Sequence, residues 1–361
     1  MYHLEIGRPN VDTPAHVKQA AIDALGAGLV HYSSNWGIPE LRRALARKLE
    51  RDSGLVYSPD DEIIVTVGAN EAVLLAMLAF LDPGDEVLIP IPAWPHYAQC
   101  ARLAGAVPVA MPLSPGDEYQ LNPAQVASLV TSRTRMVVVC TPHNPTGAVL
   151  DRARLEGLAE VLASTPLIVL ADEIYEYLVY DGAVHVSPAV VRDLRDRTLL
   201  VGGFAKAYAM DGWRLGYFAG PRDLVRWALR VHQYTTVCAA TFAQYGAVAA
   251  LDGPQDARLE MISEFGKRRL AVYEALERQR LVSYVPTRGA FYVYLRYPAA
   301  APPADELALA LLEERQVAIV PGSAFGPAET HAFRLSYSCP IADAVEGTRR
   351  LTDFIREMTP R

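Results

Sequence analysis

Seven short β-rich runs alternate with helical stretches between residues 62 and 220, and this alternation limits the fold more than any other feature of the sequence. Several runs are apolar throughout, as in strands that are buried on both faces. The runs cover 62–67, 86–90, 107–110, 136–140, 167–170, 198–201 and 214–218. The stretches between them, such as 70–81 and 152–163, have the apolar spacing of helices. We therefore predict an α/β fold with a largely parallel, seven-stranded sheet covered by helices on both faces.

The two ends of the chain differ from this middle part. Residues 13–25 and 39–51 have the pattern of amphipathic helices that precede the sheet. After about residue 270 we predict a helix at 304–315, a closing helix, and strands at 282–285, 290–294, 317–320 and 333–337. This pattern predicts a large domain over 40–270 and a smaller α+β domain formed by 1–39 with 271–361. A ligand site is expected in the cleft between the two domains.

Composition excludes several classes of protein. The 361 residues carry a net charge of −7, which argues against a nucleic-acid-binding protein. No apolar run reaches the roughly 18 to 20 residues that span a bilayer, and residues 1–5 do not resemble a signal peptide. The four cysteines form no CxxC pair and are interpreted as reduced core thiols. We therefore expect a cytoplasmic enzyme that acts on small molecules, with no nucleic-acid or membrane partner.

The segment 202–216 contains the residues with the clearest chemistry. Lys206 follows an apolar run and is flanked by small residues. A desolvated lysine amine has a lowered pKa and can form a Schiff base with an aldehyde, although a lysine in this position can also be an ordinary solvated loop residue. Arg214, later in the same segment, has the chemistry to bind an anion. Arg214, together with three other segments, favours the Schiff-base interpretation of Lys206 over that of a solvated loop residue.

Three further segments fit the same chemistry. Asp172 ends an apolar run, where a carboxylate points into the ligand crevice of an α/β protein, although it could equally cap a helix. Segment 141–148 holds two prolines and a glycine and forms a rigid turn that presents Asn144. Gly68 lies between a strand and a helix, where backbone N–H groups bind phosphate, and a plain turn has the same appearance.

Together these segments resemble the class I/II aminotransferases of fold type I, the aspartate-aminotransferase-like enzymes that use pyridoxal 5′-phosphate. The resemblance extends over nearly the whole chain, from Gly7 to the segment 334–337. It implies that Lys206 holds the cofactor as a Schiff base and later moves the substrate proton. It also implies that Asp172 pairs with the pyridine nitrogen, while Tyr175 and Asn144 hydrogen-bond the phenolic oxygen of the ring.

The resemblance further implies a phosphate site and a stacking residue. Arg214 corresponds to the arginine that binds the phosphate. Gly68 and the N–H groups of Ala69 and Asn70 correspond to the turn around it. Trp94, in segment 92–97, corresponds to the aromatic residue that stacks on the cofactor ring and borders the substrate.

Substrate and partner contacts are implied in the same way. Arg334 corresponds to the arginine that binds the substrate α-carboxylate, with Gly7 and Asn144 beside it. Tyr32 corresponds to a tyrosine that reaches a phosphate in the partner subunit, so we expect a homodimer with shared active sites.

Four departures from the family pattern are visible. Gly203 stands where many relatives have a serine that contacts the phosphate, and Asn70 stands where relatives have Ser, Thr or Lys. Little or no N-terminal arm is expected before Gly7. We find no second arginine for a distal carboxylate, so the sequence does not support aspartate or glutamate specificity.

The resemblance predicts transfer of the α-amino group of an L-amino acid to a 2-oxoacid, with ping-pong kinetics. One alternative is a lyase or cyclase of the same fold and cofactor, since segments 321–326 and 336–340 also resemble biosynthetic members of that kind. Another is a non-catalytic, aminotransferase-like ligand sensor. The complete set of Lys206, Asp172, Arg214 and Arg334 favours catalysis over the sensor.

Overall fold

A computed structural model describes residues 1–278 and 281–360. Its strands are β1 (Tyr2–His3), β2 (Ile63–Thr66), β3 (Glu86–Ile91), β4 (Val107–Pro112), β5 (Thr134–Cys140), β6 (Ile168–Asp172), β7 (Thr198–Gly203), β8 (Gly216–Ala219), β9 (Ser283–Tyr284), β10 (Tyr292–Arg296), β11 (Val317–Ala318), β12 (Val320–Pro321) and β13 (Ala332–Ser336). Its α-helices are α1 (Ala15–Gly26), α2 (Pro39–Ser53), α3 (Gly68–Phe80), α4 (His96–Leu103), α5 (Pro123–Leu129), α6 (Arg152–Leu162), α7 (Arg222–Thr235), α8 (Thr241–Asp252), α9 (Asp256–Glu277), α10 (Ala304–Arg315) and α11 (Ile341–Met358).

The central sheet has seven strands in the order β2-β8-β7-β6-β5-β3-β4. Within these described strands, β8 alone runs antiparallel to its neighbours, and the other pairs are parallel. The prediction of a largely parallel seven-stranded sheet is thus confirmed. The predicted strand 214–218 begins two residues late, at Gly216, because Arg214 has a left-handed φ of 54° that an extended strand does not permit.

The sheet brings the chemically important segments to one edge. Strands β2, β5, β6 and β7 run in the same direction, so their carboxyl ends lie together. Gly68, Asn144, Asp172 and Lys206 all lie at or just beyond these ends. Ligands bind at this edge in open α/β sheets.

A second, four-stranded antiparallel sheet has the order β12-β13-β10-β9. Arg334 lies on β13, opposite Tyr294 on β10. The prediction of one strand over 317–320 is wrong. Residues 317–318 pair with β1 and residues 320–321 pair with β13, because the chain passes from one sheet to another at Ile319.

The apolar clusters follow these two sheets. Val17 of α1 packs with Leu41 of α2 in a cluster beside the central sheet. Phe265 of α9 packs with Phe291 and Leu335 beside the smaller sheet. The domain boundaries, 40–270 and 1–39 with 271–361, stay a prediction, and residues 279, 280 and 361 of the second range lie outside the described residues. None of the helices in the described part of the chain is both long and apolar enough to cross a membrane.

Candidate active site

A cavity of about 290 Å³ lies at the carboxyl edge of the central sheet, facing β10 and β13. Of the described residues predicted to form the site, Tyr32 alone is away from it; Tyr32 is 88% exposed and lies in a surface depression with His31 and Cys238. The others line the cavity, namely Gly7, Gly68, Ala69, Asn70, Trp94, Asn144, Asp172, Tyr175, Lys206, Arg214 and Arg334.

Lys206 follows β7 and presents its amine to the cavity. Its Nζ donates a hydrogen bond to the carbonyl oxygen of Gly7 at 2.5 Å. Burial lowers the pKa of Lys206 to about 8; the carboxylates of Asp211 and Asp172 oppose this shift, and the positive charge of Arg334 adds to it. At pH 7 roughly a tenth of the amine is therefore neutral, far more than for a lysine of ordinary pKa, and the neutral form is the one that acts as a nucleophile or a base.

Asp172 ends β6 and is buried. Its Oδ2 accepts a hydrogen bond from the hydroxyl of Tyr97 at 2.6 Å, and its Oδ1 accepts one from the N–H of Ile174 at 3.2 Å. Burial raises the pKa of Asp172, and these two hydrogen bonds oppose that shift. Residues 174–177 form a turn and no helix begins there, so Asp172 closes that turn through its bond to Ile174 and does not cap a helix.

An anion site is formed where α3 begins. Gly68 has a φ of 78°, and a Cβ added there would lie 2.7 Å from Nη2 of Arg214. The Nη1 of Arg214 donates to the carbonyl oxygen of Asp211 at 2.9 Å, which holds the guanidinium against the helix. Free N–H groups and the helix dipole attract anions at this end of a helix, and the adjacent cation strengthens that attraction. The absence of a side chain at Gly68 is what lets the arginine approach.

A buried carboxylate fixes this turn. Glu71 accepts a hydrogen bond from the N–H of Val67 at 2.6 Å, one from Nδ1 of His232 at 2.8 Å, and one from the hydroxyl of Thr236. These bonds, above all that of His232, lower the pKa of Glu71 against the effect of burial. Glu71 thus ties the start of α3 to the end of α7.

Arg334 forms the opposite end of the cavity. Its Nη1 donates to Oδ1 of Asn144 at 3.1 Å, and its Nη2 donates to the carbonyl oxygen of Glu5 at 2.7 Å. The guanidinium carbon lies 4.3 Å from the ring centroid of Tyr292. A Cβ at Gly7 would lie 2.8 Å from the Tyr292 hydroxyl oxygen, which explains the glycine beside the arginine.

Two aromatic residues complete the walls. The Trp94 ring meets the Tyr97 ring edge-on, with the centroids 5.4 Å apart. The hydroxyl oxygen of Tyr175 lies 2.8 Å from that of Tyr292, and Nζ of Lys206 lies 5.8 Å from the Tyr175 ring centroid.

The sequence reasoning missed Tyr97 and Tyr292, which both line the cavity. Tyr97 lies in the same short segment as Trp94, so its position beside the site could have been inferred. Strand alternation places Tyr292 and Tyr294 on one face of β10, but no local signal says which face meets the cavity. At Gly203 a Cβ would lie 2.9 Å from Cδ1 of Ile174 and 3.2 Å from a backbone oxygen, so this backbone leaves little room for a serine.

The residues fit pyridoxal phosphate on chemical grounds. Lys206 offers an amine of lowered pKa to an aldehyde. Asp172 is a buried acceptor for a ring N–H. Arg214 and the start of α3 form a site for a dianion, while Arg334 is placed for a carboxylate. One cavity therefore holds a suitable partner for each functional group of the cofactor and for an amino acid.

Known proteins of similar sequence and structure support this interpretation of the site. Residues 1–351 match the family model described as aminotransferase class I and II. The chain is 40% identical to an aspartate aminotransferase of Pyrococcus abyssi and 39% identical to an aromatic-amino-acid aminotransferase of Thermococcus litoralis, in each case over 98% of this chain and 91% of the relative. A crystal structure of an aromatic aminotransferase from Pyrococcus horikoshii superposes with a TM-score of 0.95 at 40% identity, covering 99% of this chain and 96% of the other.

The fold and the relatives together define the class, and the chain belongs to the class I and II aminotransferase family. It is a pyridoxal-phosphate-dependent aminotransferase that moves the α-amino group of an amino acid to a 2-oxoacid. The predictions of fold, cofactor and reaction are confirmed, and the lyase or cyclase alternative is not favoured.

Proposed function

We propose that Lys206 is the residue that holds the cofactor and moves the proton in this transfer. The observation that carries this proposal is a lysine amine with a pKa lowered to about 8, in a cavity that also contains Asp172 and Arg334. Bound pyridoxal phosphate supplies a conjugated ring that accepts the electron pair left when the substrate Cα loses its proton. Lys206 would take that proton as a base and return it, as an acid, to the carbon that carried the aldehyde of the cofactor, and a pKa near the working pH suits both steps.

The other residues hold and orient the reactants. Asp172, hydrogen-bonded by Tyr97, accepts the pyridine N–H, and a cationic partner there favours its ionised form. Arg214 and the N–H groups of Ala69 and Asn70 bind the phosphate. Arg334 binds the substrate carboxylate through two parallel N–H groups, which fixes the Cα relative to Lys206.

We propose an aromatic amino acid as the preferred donor. Among the described residues that line the cavity, the cationic side chains are Lys206, Arg214 and Arg334, and each has a role above. None remains for a second substrate carboxylate, whereas Trp94 and Tyr292 offer aromatic surface. Some relatives are named for aromatic amino acids and others for aspartate.

A half-reaction panel tests both transfer and donor. The purified holoenzyme is mixed with one L-amino acid and no oxoacid, and the cofactor spectrum and ammonia are followed. We expect stoichiometric conversion of the cofactor to its amine form without ammonia, and a higher second-order rate for phenylalanine or tyrosine than for aspartate. Continuous ammonia release would refute transfer, and a faster reaction with aspartate would refute the donor assignment.

A homodimer is the proposed assembly, in the cytoplasm. Tyr32 and Tyr234 are 88% and 90% exposed, and Val30, Val237 and Trp227 are exposed apolar residues. An apolar surface of this kind on an otherwise acidic chain favours a second copy as partner. We propose that Tyr32 reaches the phosphate site of that copy.

Hybrid dimers test the role of Tyr32. Light scattering should give a mass near 79 kDa, about twice the 39.5 kDa of one chain. Tyr32→Ala should weaken cofactor binding although the residue is outside its own cavity. Mixing Tyr32→Ala with Lys206→Ala should restore part of the activity, because one of the two sites then has both residues intact. A monomer of full activity would contradict this assembly.

A further inference from the structure

Tyr292 is described above only as aromatic surface for the donor, yet it contacts Tyr175, Arg334 and the backbone at Gly7. It lies on β10 and is 1% exposed. Its hydroxyl is 2.8 Å from that of Tyr175, and its ring supports the guanidinium of Arg334 at 4.3 Å. The same hydroxyl lies 2.8 Å from where a Cβ of Gly7 would be.

When the cofactor is bound, the hydrogen bond between the hydroxyls of Tyr175 and Tyr292 has only one possible donor. Burial raises the pKa of both Tyr175 and Tyr292, so both phenols are neutral and each has one proton to donate. On the proposed function, Tyr175 donates its proton to the phenolic oxygen of the cofactor. Tyr175 can then only accept from Tyr292, and the 2.8 Å separation suits that bond. A hydroxyl that accepts a hydrogen bond is a stronger donor in turn.

The ring has a separate effect on Arg334. A guanidinium above an aromatic face is attracted to the ring and is limited to a plane. Here that plane also lets Nη1 reach Asn144 and Nη2 reach the Glu5 carbonyl. The Tyr292 ring therefore orients the two N–H groups of Arg334 that bind the carboxylate, and the Tyr292 hydroxyl is not needed for this effect.

We propose that Tyr292 is a positioning residue with two separable actions, one through its hydroxyl on Tyr175 and one through its ring on Arg334. The proposal rests on the proposed function, because it takes Tyr175 and Arg334 as the residues that bind cofactor and substrate. The hydroxyl strengthens the hydrogen bond from Tyr175 to the phenolic oxygen, which favours the deprotonated form of the bound cofactor. The ring sets the affinity for carboxylates.

Two substitutions separate the actions. Tyr292→Phe removes the hydroxyl and keeps the ring, whereas Tyr292→Leu removes both. Tyr180→Phe is the matched control, because Tyr180 is a buried tyrosine of the same apolar cluster whose hydroxyl donates to the carbonyl oxygen of Ala290 at 2.6 Å. Circular dichroism and thermal unfolding first establish that each loaded variant is folded.

The first readout is the pH midpoint of the visible absorbance change of the cofactor-loaded enzyme. Tyr292→Phe should raise this midpoint by roughly half a pH unit, since the loss of one supporting hydrogen bond weakens the next. Tyr180→Phe should leave it in place. In a Tyr175→Phe background, Tyr292→Phe should have no further effect, because its hydroxyl acts through Tyr175. An unchanged midpoint in Tyr292→Phe, or an equal shift in the Tyr175→Phe background, would overturn the first action.

The second readout is the dissociation constant of two inhibitors that share a carboxylate, maleate and 3-phenylpropionate. Tyr292→Phe should leave both constants within about twofold, and Tyr292→Leu should raise both by about 3- to 30-fold, the range of a lost cation–π contact. Equal constants in Tyr292→Leu and the wild type would overturn the second action. Failure of the proposed function is distinguishable, because Lys206→Ala would then keep the visible absorbance that these titrations follow.

Discussion

Replacing Gly68 by alanine tests the phosphate site at its narrowest point. Gly68 has a φ of 78°, and a Cβ there would lie 2.7 Å from Nη2 of Arg214. The substitution therefore adds two costs, a side chain in the left-handed region and the displacement of a guanidinium. The first acts on folding, whereas the second acts on anion binding.

The two costs have different magnitudes and different signatures. An L-residue in the left-handed region costs about 1 to 2 kcal/mol of stability. Displacing Arg214 weakens a charge-assisted hydrogen bond to the phosphate, which is worth about 1.5 to 3 kcal/mol. The dissociation constant of pyridoxal phosphate should therefore rise by about 10- to 150-fold.

Gly54→Ala is the matched control. Gly54 ends α2 with a φ of 68°, and nothing lies within 4 Å of a Cβ placed there. Both variants should lose similar thermal stability as apoenzymes, but only Gly68→Ala should lose cofactor affinity, measured by absorbance titration of the apoenzyme. If the two variants bind pyridoxal phosphate equally well, the close approach of Arg214 does not govern phosphate binding and the reasoning fails.

Four other substitutions or titrations give equally direct outcomes. The rate of cofactor attachment to the apoenzyme should rise with pH and level off above about 8, because burial lowers the pKa of Lys206 to that value and the neutral amine attacks; a rise that continues to pH 10 would refute this. Lys206→Ala should abolish the visible absorbance band, while the exposed Lys267→Ala should keep it. Glu71→Gln should weaken cofactor binding about tenfold, because it loosens the turn before α3. Glu86→Gln is the control and should not weaken binding, because Glu86 also has hydroxyl and guanidinium partners but lies at the opposite edge of the sheet. Equal effects of the two substitutions would mean that Glu71 has a purely structural role. Arg334→Ala should reduce kcat/KM for the amino acid by the equivalent of about 2 to 5 kcal/mol, and an unchanged kcat/KM would remove Arg334 from the carboxylate site.

The folded pKa of Lys206 also affects stability, with a definite sign. It lies near 8, below the ordinary value of 10.5. Between these values the unfolded chain binds more protons than the folded one, so the free energy of unfolding of the apoenzyme should increase as the pH rises from about 8 to 10.5. Lys206→Ala should remove this increase in denaturant titrations at the two pH values.

Residues that follow apolar strands were predictable from the sequence. Asp172 and Lys206 come directly after such runs, and parallel strands bring their carboxyl ends to one edge whatever the details of packing. The predicted and observed strand starts differ at Arg214, because its left-handed backbone places the start of β8 after it. Sequence propensity does not foresee that conformation, because a left-handed arginine is uncommon and its guanidinium is held by Asp211 and lies against Gly68, a residue far away in the sequence.

Residues that act across long sequence separations were not predictable. The hydroxyls of Tyr175 and Tyr292 meet across 117 positions, and the hydroxyl of Tyr97 meets the carboxylate of Asp172 across 75. Each tyrosine alone has the pattern of a core aromatic residue. Only the packing of the two sheets decides which hydroxyls meet, and no short motif contains that information.

On the proposed role of Arg334, the first residues of the chain are expected to influence which ligands the cavity binds, because they already contact Arg334 and Lys206. The carbonyl oxygen of Glu5 already accepts from Arg334, and that of Gly7 accepts from Lys206. Strand-like bonds of Leu4 to Ala318 and Ser336 hold this segment in place. Binding at Arg334 is thus an exchange of one oxygen for another, and its free energy is a difference between two partners. A neutral amide or alcohol offers no more than the backbone already does, whereas a carboxylate adds a full charge, so we expect the main chain of residues 5–7 to disfavour simple amines and amides as ligands.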